Sequence, residues 1–440
     1  MRKTFISDID VSSKTLTDID ALLRTEIDCD CGKKHSCEIE KVLICNGALN
    51  ELPAMTKAYE NVLLVCDENT QIAAGLRVKE LLSDKIKSEL VYKSEGFLVP
   101  DETAVSELEK ALTEKTDLII GVGSGVINDL CKYVSHAHAL PYYIVATAPS
   151  MDGYASKGAA MIFGGMKITA NARVPKAIIA DTEIISKAPL DMLKAGYGDI
   201  IGKYSCLNDW RLSNAVNGEP LCEFIYKMTY DAVTAIADTG EKILKRDEKS
   251  ISALMRALVI VGIAMAYMGN SRPASGSEHH LSHFFEVVGL LRGEDYFCHG
   301  IDVAYSTYLS AKLRRELIDI NEPEYKAFDE NSYEENIRRV YKGKADFFCA
   351  EGILDLQRKL GWIYEDKSEI YRKKWQEIKK ILQDSPTPKK VLEMLASVGL
   401  PVEDFEKMYS KEKLRDAISY AKYLKDRYTV LWLYDSIKLQ

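Results

Sequence analysis

Four of the seven histidines in this chain lie close together, between residues 279 and 299. His279 and His283 are four residues apart, so on a helix they share one face, whereas His280 points roughly a third of a turn away. His299 adds an imidazole from the next segment. A single histidine on such a helix is more often a core residue. The group favours a metal site, because two imidazoles and a carboxylate can hold a divalent ion with one position open.

Asp199 is the carboxylate that best completes such a site. It follows the glycines of the segment 195–203 (AGYGDIIGK), where the helical half of the chain begins. An aspartate at this position also serves as a helix N-cap. Spacing alone favours the cap, so the metal role depends on the rest of the sequence.

A glycine-rich segment, GVGSG at 121–125, follows the apolar run Leu118–Ile120 and leads into a helix-like sequence. A strand that turns through glycines into a helix lets a pyrophosphate approach the N–H groups at the positive helix end. The spacing differs from the usual dinucleotide fingerprint, and a tight structural turn is an equal alternative. The segment is therefore a candidate phosphate- or dinucleotide-binding loop.

Asp67 stands at the end of the apolar run Val62–Cys66. A carboxylate at the carboxyl edge of a strand can accept both ribose hydroxyls and repel a 2′-phosphate, which favours NAD(H) over NADP(H). The alternative is a helix N-cap near Thr70. Both roles stay open from the sequence.

The N-terminal region carries four possible zinc ligands within nine residues, namely Cys29, Cys31, His35 and Cys37. Thiolates and imidazole are preferred zinc donors, so a small zinc clip is one interpretation. The other is a β-hairpin that turns at residues 32–34. Because no second ligand pair follows at a fixed spacing, the hairpin is favoured and no metal is predicted here.

Apolar runs alternate with helix-length segments over residues 61–181, and this alternation predicts the first half of the fold. The runs are apolar on both faces, which is typical of parallel strands covered by helices. They lie at residues 62–66, 118–120, 142–145 and 177–180. Beyond about Ala195 the period becomes that of helices. We expect an α/β Rossmann-like parallel-sheet domain at 1–195, with a small N-terminal hairpin region, and an all-α domain at 196–440.

The composition argues against nucleic acid and membranes as binding partners. The 440 residues include 47% hydrophobic and 28% charged residues, which is typical of a globular protein of two or three domains. A net charge of −8 gives no general attraction to nucleic acid. The longest apolar run, Ala257–Gly269, is shorter than the roughly 20 residues of a membrane span. With no apolar signal region at the N-terminus, we expect a cytoplasmic protein without a membrane partner.

Five motifs in a fixed order resemble the group-III, iron-containing type alcohol dehydrogenases, together with glycerol dehydrogenase and dehydroquinate synthase. The motifs are GVGSGVINDLCK, TAPSMDGYAS, GYGDIIGK, SGSEHHLSH and CHG. Within this superfamily, SMDGYAS, SGSEH with the following SH, and the N-terminal CDCGKKH are most similar to the sn-glycerol-1-phosphate dehydrogenases, in particular their bacterial AraM-type branch. The resemblance covers nearly the whole chain, including the terminal DRYTVLWL.

The resemblance implies a dehydroquinate synthase-like fold, an active site in the cleft between the two domains, and a homodimer or higher homo-oligomer. It implies one divalent metal, zinc or nickel, held by Asp199, His279 and His299. His283 and Asp152 match substrate-contacting positions. Since Asp199 also lies close enough to touch substrate, His283, Asp152 and Asp199 are the candidate catalytic residues. The doubled histidine leaves open whether His279 or its neighbour is the ligand.

The resemblance also assigns the nicotinamide cofactor, NAD(H) with NADP(H) as a second possibility. The matching positions are Asp67, Gly123, Gly125, Val126, Ile127, Asn128, Asp129, Thr147, Ser150 and Ser156. Lys203, Lys167 and Asn171 are plausible donors to a substrate phosphate, although a surface or capping role is more common for each alone.

The implied activity is a metal-dependent hydride transfer that interconverts dihydroxyacetone phosphate and sn-glycerol 1-phosphate, a reaction of phospholipid metabolism. A cation in an open site would stabilise the charge that grows on the carbonyl oxygen, and His283 is a candidate proton donor. One alternative is a glycerol dehydrogenase that takes an unphosphorylated polyol. Another is a catalytically silent metal- or nucleotide-binding protein of the same fold. A dehydroquinate synthase is disfavoured, because it would want a glutamate at the first metal position.

Overall fold

The structure is a computed structural model that describes residues 2–5, 18–93, 98–164, 166–326, 328–343 and 349–438. The strands are β1 (Arg2–Phe5), β2 (Thr25–Asp28), β3 (Lys34–Ser36), β4 (Lys41–Cys45), β5 (Val62–Asp67), β6 (Ile86–Tyr92), β7 (Leu118–Gly123), β8 (Tyr142–Ala146), β9 (Gly158–Phe163), β10 (Met166–Asn171), β11 (Ala177–Asp181), β12 (Glu324–Tyr325) and β13 (Ile437–Lys438). Six of them form one parallel sheet in the order β4-β11-β8-β7-β5-β6. The predicted parallel-sheet class is confirmed.

The position of each strand in this sheet explains which strands the sequence predicted. The four predicted strands are the inner ones, and every residue of β7, β8 and β11 is buried. The two strands that were missed, β4 and β6, lie at the edges of the sheet. β4 alternates between buried residues and half-buried or exposed ones, and most of β6 is half-buried. Polar residues interrupt β6, which therefore lacks the run of apolar residues that marks a strand covered on both faces. β4 does carry such a run, Val42–Cys45, and was overlooked.

The order of the strands reverses between β5 and β7. From β5 the chain pairs first with β6 on one side and then with β7 on the other, where Val65 lies opposite Gly121. In open parallel sheets, ligands bind at the carboxyl ends of the strands where the order reverses. Asp67 and Gly123, the last residues of β5 and β7, lie at this edge.

The α-helices lie in both halves of the chain and account for most of the second half, as predicted. They are α1 (Leu52–Met55), α2 (Glu68–Thr70), α3 (Leu76–Leu81), α4 (Glu102–Ala111), α5 (Gly125–Ala137), α6 (Thr182–Ile185), α7 (Leu190–Ile201), α8 (Lys203–Asn217), α9 (Glu223–Ile236), α10 (Gly240–Leu244), α11 (Glu248–Met268), α12 (Ser277–Arg292), α13 (His299–Asp319), α14 (Glu330–Val340), α15 (Cys349–Leu360), α16 (Ser368–Gln383), α17 (Pro388–Ser397), α18 (Val402–Met408), α19 (Lys411–Tyr420) and α20 (Val430–Ser436). The predicted boundary between residues 195 and 196 falls inside α7, and it stays a prediction.

One helix of the described residues, α11, is long and apolar enough to cross a membrane by length and composition. Its most apolar window has a mean hydropathy of 2.0, and 78% of that window is buried inside the protein. The apolar run that begins at Ala257, judged too short for a membrane span, therefore lies in a mostly buried helix.

The N-terminal region contains the predicted hairpin. β2 and β3 pair antiparallel, with Ile27 opposite His35, and β1 pairs parallel with β2. The turn includes a hydrogen bond from the Gly32 N–H to the Cys29 carbonyl, at 2.9 Å. The hairpin that the spacing favoured is thus present, but its turn lies at residues 29–33 and not at 32–34, because Lys34 already pairs with Asp28 in the ladder.

Candidate active site

Three helices bring together the predicted carboxylate and two of the predicted imidazoles. Asp199 lies in α7, His279 in α12, and His299 is the first residue of α13. Each offers one ligand atom, and the three atoms lie within 4.8 Å of one another. His279 Nε2 is 3.6 Å from Asp199 Oδ1, and the two imidazole rings are 5.1 Å apart. This spacing fits a common divalent ion.

Two glycine contacts explain why these helices approach so closely. A Cβ atom on Gly198 would lie 2.3 Å from the carbonyl oxygen of Gly300, and one on Gly300 would lie 2.1 Å from that of Ala195. Any larger residue would push α7 and α13 apart. The glycines that precede Asp199 and follow His299 in the sequence therefore set the separation of two candidate ligands.

The structure separates the two neighbouring histidines. His279 Nδ1 lies 2.7 Å from Glu278 Oε1, which leaves its Nε2 atom facing Asp199. His280 is fully buried, and neither of its ring nitrogens has a hydrogen-bond partner within the described part of the chain. His283 faces the same side as His279, with its ring 6.0 Å from that of His279 and 5.3 Å from that of His299. His279, and not His280, belongs to the three-residue group.

Lys203 links the two predicted carboxylates of the site. Its ammonium lies 2.7 Å from Asp199 Oδ1 and 2.5 Å from Asp152 Oδ2, and all three side chains are buried or nearly so. The backbone N–H of Asp152 also donates to Asp199 Oδ2, at 2.9 Å. The turn that contains Asp152, in the sheet half, is thereby joined to the helical half at the candidate metal ligand.

Charges around this group shift its pKa values in opposite directions. Burial alone raises the pKa of Asp199, but Lys203 and the two imidazoles outweigh it and hold this pKa at about 2. Burial, together with the charge of Asp199, raises the pKa of Asp152 to about 6 in spite of Lys203. Asp199 is therefore ionised at neutral pH, as a metal ligand must be.

The imidazoles are held in their neutral form. Burial, with a contribution from the Lys167 ammonium, lowers the pKa of His299 to about 3. Burial also lowers the pKa values of His279 and His283 well below the ordinary range. A neutral imidazole is the form that coordinates a metal or accepts a hydrogen bond. This donor set therefore fits a divalent ion.

The glycine-rich loop lies at the carboxyl edge of the sheet, as the sequence predicted. β7 ends at Gly123 and α5 begins at Gly125, so the N-terminal N–H groups of α5 face this edge. Within the described residues no side chain caps α5. Thr147, just after β8, donates its N–H to the Gly123 carbonyl at 3.1 Å, which places the neighbouring loop beside the first. Val126 and Ser150 are half-buried here, whereas Ile127 is buried.

The helix-cap alternative for Asp67 is present in the structure. Its Oδ1 atom accepts a hydrogen bond from the Thr70 N–H at 2.8 Å, and Thr70 Oγ1 accepts one from the Asp67 N–H. The cap leaves the other carboxylate oxygen at the sheet edge, so capping and ribose binding are compatible.

Three of the predicted cofactor residues have side chains that hold the protein together. Lys132 donates to the Gly153 carbonyl at 2.7 Å and to Ser156 Oγ at 3.2 Å, and it pairs with Asp129 at 3.4 Å. Asn128 Nδ2 is 3.5 Å from the same Gly153 carbonyl. These contacts join α5 to the loop that bears Asp152. Any cofactor contact of Asn128, Asp129 and Ser156 is therefore shared with this structural role.

Sequence reasoning missed two groups beside the imidazoles. Glu278 is fully buried and binds His279, although it stands directly before it in the sequence. Lys425 lies close enough for its charge to lower the pKa values of His279 and His283. An acidic neighbour of a candidate ligand could have identified Glu278. Nothing local marks Lys425, which lies far from the histidines in the sequence. Of the considered phosphate donors, Lys203 is buried against Asp199, and Lys167 pairs with Glu286.

The model of the family "iron-containing alcohol dehydrogenase" matches residues 43–189. A glycerol-1-phosphate dehydrogenase [NAD(P)+] of Halalkalibacterium halodurans is 37% identical over 297 residues, which cover 66% of this chain and 74% of that protein. One of Bacillus licheniformis is 31% identical over 410 residues, which cover 92% of this chain and 90% of that protein. One of Methanosarcina barkeri is 38% identical over 251 residues, which cover 56% of this chain and 70% of that protein.

Solved structures support the fold. An iron-containing alcohol dehydrogenase of Thermococcus thioreducens superposes with a TM-score of 0.58 at 13% identity, over 90% of this chain and 97% of that structure. One of Corynebacterium glutamicum gives 0.57 at 15% identity, over 91% and 95%. The match to the Bacillus licheniformis protein runs along nearly the full length of both chains. The chain therefore belongs to the iron-containing alcohol dehydrogenase family and, within it, to the glycerol-1-phosphate dehydrogenases.

Proposed function

We propose that this protein is a metal-dependent NAD(P)H oxidoreductase that interconverts dihydroxyacetone phosphate and sn-glycerol 1-phosphate. The observation that carries the proposal is the group of Asp199, His279 and His299, whose ligand atoms lie within 4.8 Å of one another. The names of the curated relatives support the same substrate and cofactor.

Asp199, His279 and His299 would hold one divalent ion, zinc or nickel, because the set is borderline in hardness and contains no thiolate. When bound, the ion supplies an electrophile that stabilises negative charge on the substrate oxygen during hydride transfer. Lys203 and the Asp152 N–H hold both oxygens of Asp199 in place. Glu278 fixes His279 through Nδ1 so that Nε2 faces the site.

His283 and Asp152 would act on the substrate directly. The His283 ring borders both ligand imidazoles, and as a neutral imidazole it can accept the proton of the substrate hydroxyl when glycerol 1-phosphate is oxidised and return it to the oxygen when the ketone is reduced. Asp152, paired with Lys203, would orient the hydroxyl groups of the substrate from the opposite side. Asp199 would contact the substrate as well as the ion.

Positive charge around the imidazoles would bind the phosphate of the substrate. Burial lowers the pKa of Lys425 to about 7, and the positive charges of Arg427 and Lys167 add to this lowering. Within the described residues Lys425 has no hydrogen-bond partner, although Lys167 and Arg427 are both paired. A cation held near other cations and without a protein acceptor is suited to bind an anion. This charge favours a phosphorylated substrate over an uncharged polyol.

The nicotinamide cofactor would lie along the carboxyl edge of the sheet. Its pyrophosphate would rest on the N–H groups of Gly123, Gly125 and the first turn of α5. Asp67 would accept the ribose hydroxyls through the oxygen that does not cap α2, which favours NADH over NADPH. We further propose a cytoplasmic enzyme that acts as a homodimer or higher homo-oligomer.

A paired assay tests the proposal. The full-length protein, loaded with zinc or with nickel, is given NADH and either dihydroxyacetone phosphate or dihydroxyacetone. We expect rapid NADH oxidation with the phosphate ester only. Activity confined to dihydroxyacetone would point to a glycerol dehydrogenase. If neither substrate is reduced with either metal, the protein is a silent member of the fold.

A further inference from the structure

A second group of metal-ligating side chains shares no residue with the candidate active site. Cys29, Cys31, His35 and Cys222 each offer one ligand atom, and all four atoms lie within 4.8 Å of one another. Cys29 Sγ is 3.6 Å from Cys222 Sγ. His35 Nε2 is 3.4 Å from Cys31 Sγ and 3.5 Å from Cys222 Sγ.

The fourth member of this group comes from another part of the chain. Cys29, Cys31 and His35 lie on the β2–β3 hairpin, whereas Cys222 directly precedes α9. Cys37, the cysteine that completes the local sequence motif, is not in the group and packs in the hydrophobic core. A simple hairpin was favoured because no second ligand pair follows nearby in the sequence. The fold instead supplies the fourth ligand, Cys222, which is 187 residues from His35 in the sequence.

The surroundings of His35 orient it for coordination. Its Nδ1 atom lies 3.0 Å from the carbonyl oxygen of Tyr267 in α11, so the proton is held on Nδ1 and Nε2 is free to act as a donor to a metal. The ring packs beside those of Phe224 and Tyr267, with centroid distances of 6.3 and 6.0 Å. His35 and Cys222 are buried, while Cys29 and Cys31 are half-buried and leave a path for an ion from solvent.

We propose that Cys29, Cys31, His35 and Cys222 form a structural zinc site. Three thiolates and one imidazole are a typical closed, tetrahedral zinc set. With zinc–sulfur bonds of about 2.3 Å, neighbouring sulfurs of a tetrahedron lie about 3.8 Å apart, and a sulfur and a nitrogen slightly less. The three measured separations are within a few tenths of an ångström of these values, so small side-chain movements suffice to bind the ion.

This ion would fasten the N-terminal hairpin to the helical half. The ligands close a loop of nearly two hundred residues, and a cross-link across a long loop removes more conformational freedom from the unfolded chain than a local one. Four protein ligands leave no position for a substrate, so the site takes no part in the hydride transfer.

Zinc analysis in a His299→Ala background tests the proposal, because this change weakens the candidate active-site metal position. We expect the purified full-length His299→Ala protein to retain about one zinc per chain. Adding Cys29→Ser and Cys31→Ser together should remove it. Adding Cys37→Ser instead should not, since Cys37 lies outside the group. Zinc that is absent from the background variant, or that survives the double cysteine change, would overturn the proposal.

Cobalt binding gives a second measurement on the otherwise unmodified protein. Cobalt in the thiolate site should produce a sulfur-to-metal charge-transfer band, which the Asp199, His279 and His299 group cannot give because it has no sulfur. Alkylation followed by mass spectrometry should find Cys29 and Cys31 protected until zinc is chelated. A missing band, or a disulfide between Cys29 and Cys222 in freshly purified protein, would contradict a zinc site. Neither readout depends on the enzymatic activity.

Discussion

Two groups of metal-ligating residues lie within the described part of this chain, and they differ in chemistry and in surroundings. The group of Asp199, His279 and His299 has no thiolate. It also contacts ionisable side chains that are not part of the ligand set, such as Lys203 and His283. The second group has three thiols and one imidazole, set among aromatic rings. The first has an incomplete ligand set with reactive neighbours, and the second is complete.

This difference in ligand number assigns a different role to each group. An open set of three ligands leaves a position for a substrate, whereas a closed set of four only holds the fold together. Charged side chains also lie near the first group, namely Lys167, Lys425 and Asp152, as a site that binds a charged substrate requires. We therefore expect changes at the first group to alter rate, and changes at the second to alter the melting temperature.

The largest expected effect comes from His299→Ala, which removes a ligand from the open group. The value of kcat/KM for dihydroxyacetone phosphate should fall on the order of 10³-fold, because charge on the substrate oxygen loses its stabilisation. Steady-state kinetics measures this, and thermal unfolding should change little. A matched variant is Cys29→Ser with Cys31→Ser, which should keep kcat and lower the melting temperature by about 5 °C. If the two variants showed the same changes in kcat/KM and in melting temperature, the two groups would not differ in role.

Lys203→Met tests the charge network that distinguishes the open group. Removing the ammonium leaves two buried carboxylates, Asp152 and Asp199, without their counter-ion. The free energy of unfolding should fall by about 3–5 kcal/mol, measured by chemical denaturation. Lys187→Met is the control, because its exposed pair with Glu183 should contribute less than about 1 kcal/mol. Equal losses in the two variants would show that the buried network is not a special feature of this site.

Lys425→Met tests whether the open group faces a phosphate. We expect KM for dihydroxyacetone phosphate to rise by about 10–100-fold with little change in kcat, since a charged hydrogen bond to the substrate is lost. Any slow turnover of dihydroxyacetone should be unaffected. Lys407→Met, at an exposed site, is the control. An unchanged KM in the Lys425 variant would place the phosphate elsewhere.

Asp67→Ser should give the smallest change, because it affects only which cofactor is preferred. Serine still caps α2, so the fold is retained while the negative charge is lost. The preference for NADH over NADPH should narrow by about tenfold, as the repulsion of the 2′-phosphate disappears. Ratios of kcat/KM for the two cofactors measure this. A constant ratio would remove Asp67 from the ribose site and leave it as a helix cap.

Sequence patterns predicted the buried parts of the fold better than its edges. The inner strands β5, β7, β8 and β11 were found because burial on both faces leaves an uninterrupted apolar run. The edge strand β6 was missed because polar residues interrupt it, whereas β4 carries the apolar run Val42–Cys45 and was overlooked. The candidate ligands were found by residue type and spacing, although spacing could not separate His279 from His280.

The sequence by itself determined the class of fold, the helix face shared by His279 and His283, and the motifs of the family. These depend on local periodicity, which is written in neighbouring residues. Only the tertiary structure decided that Glu278 turns His279 toward Asp199, that Lys425 approaches the imidazoles, and that Cys222 joins the hairpin cysteines. Such contacts join residues tens to hundreds of positions apart or depend on side-chain direction. They are set by how whole helices pack, and no local pattern records that packing.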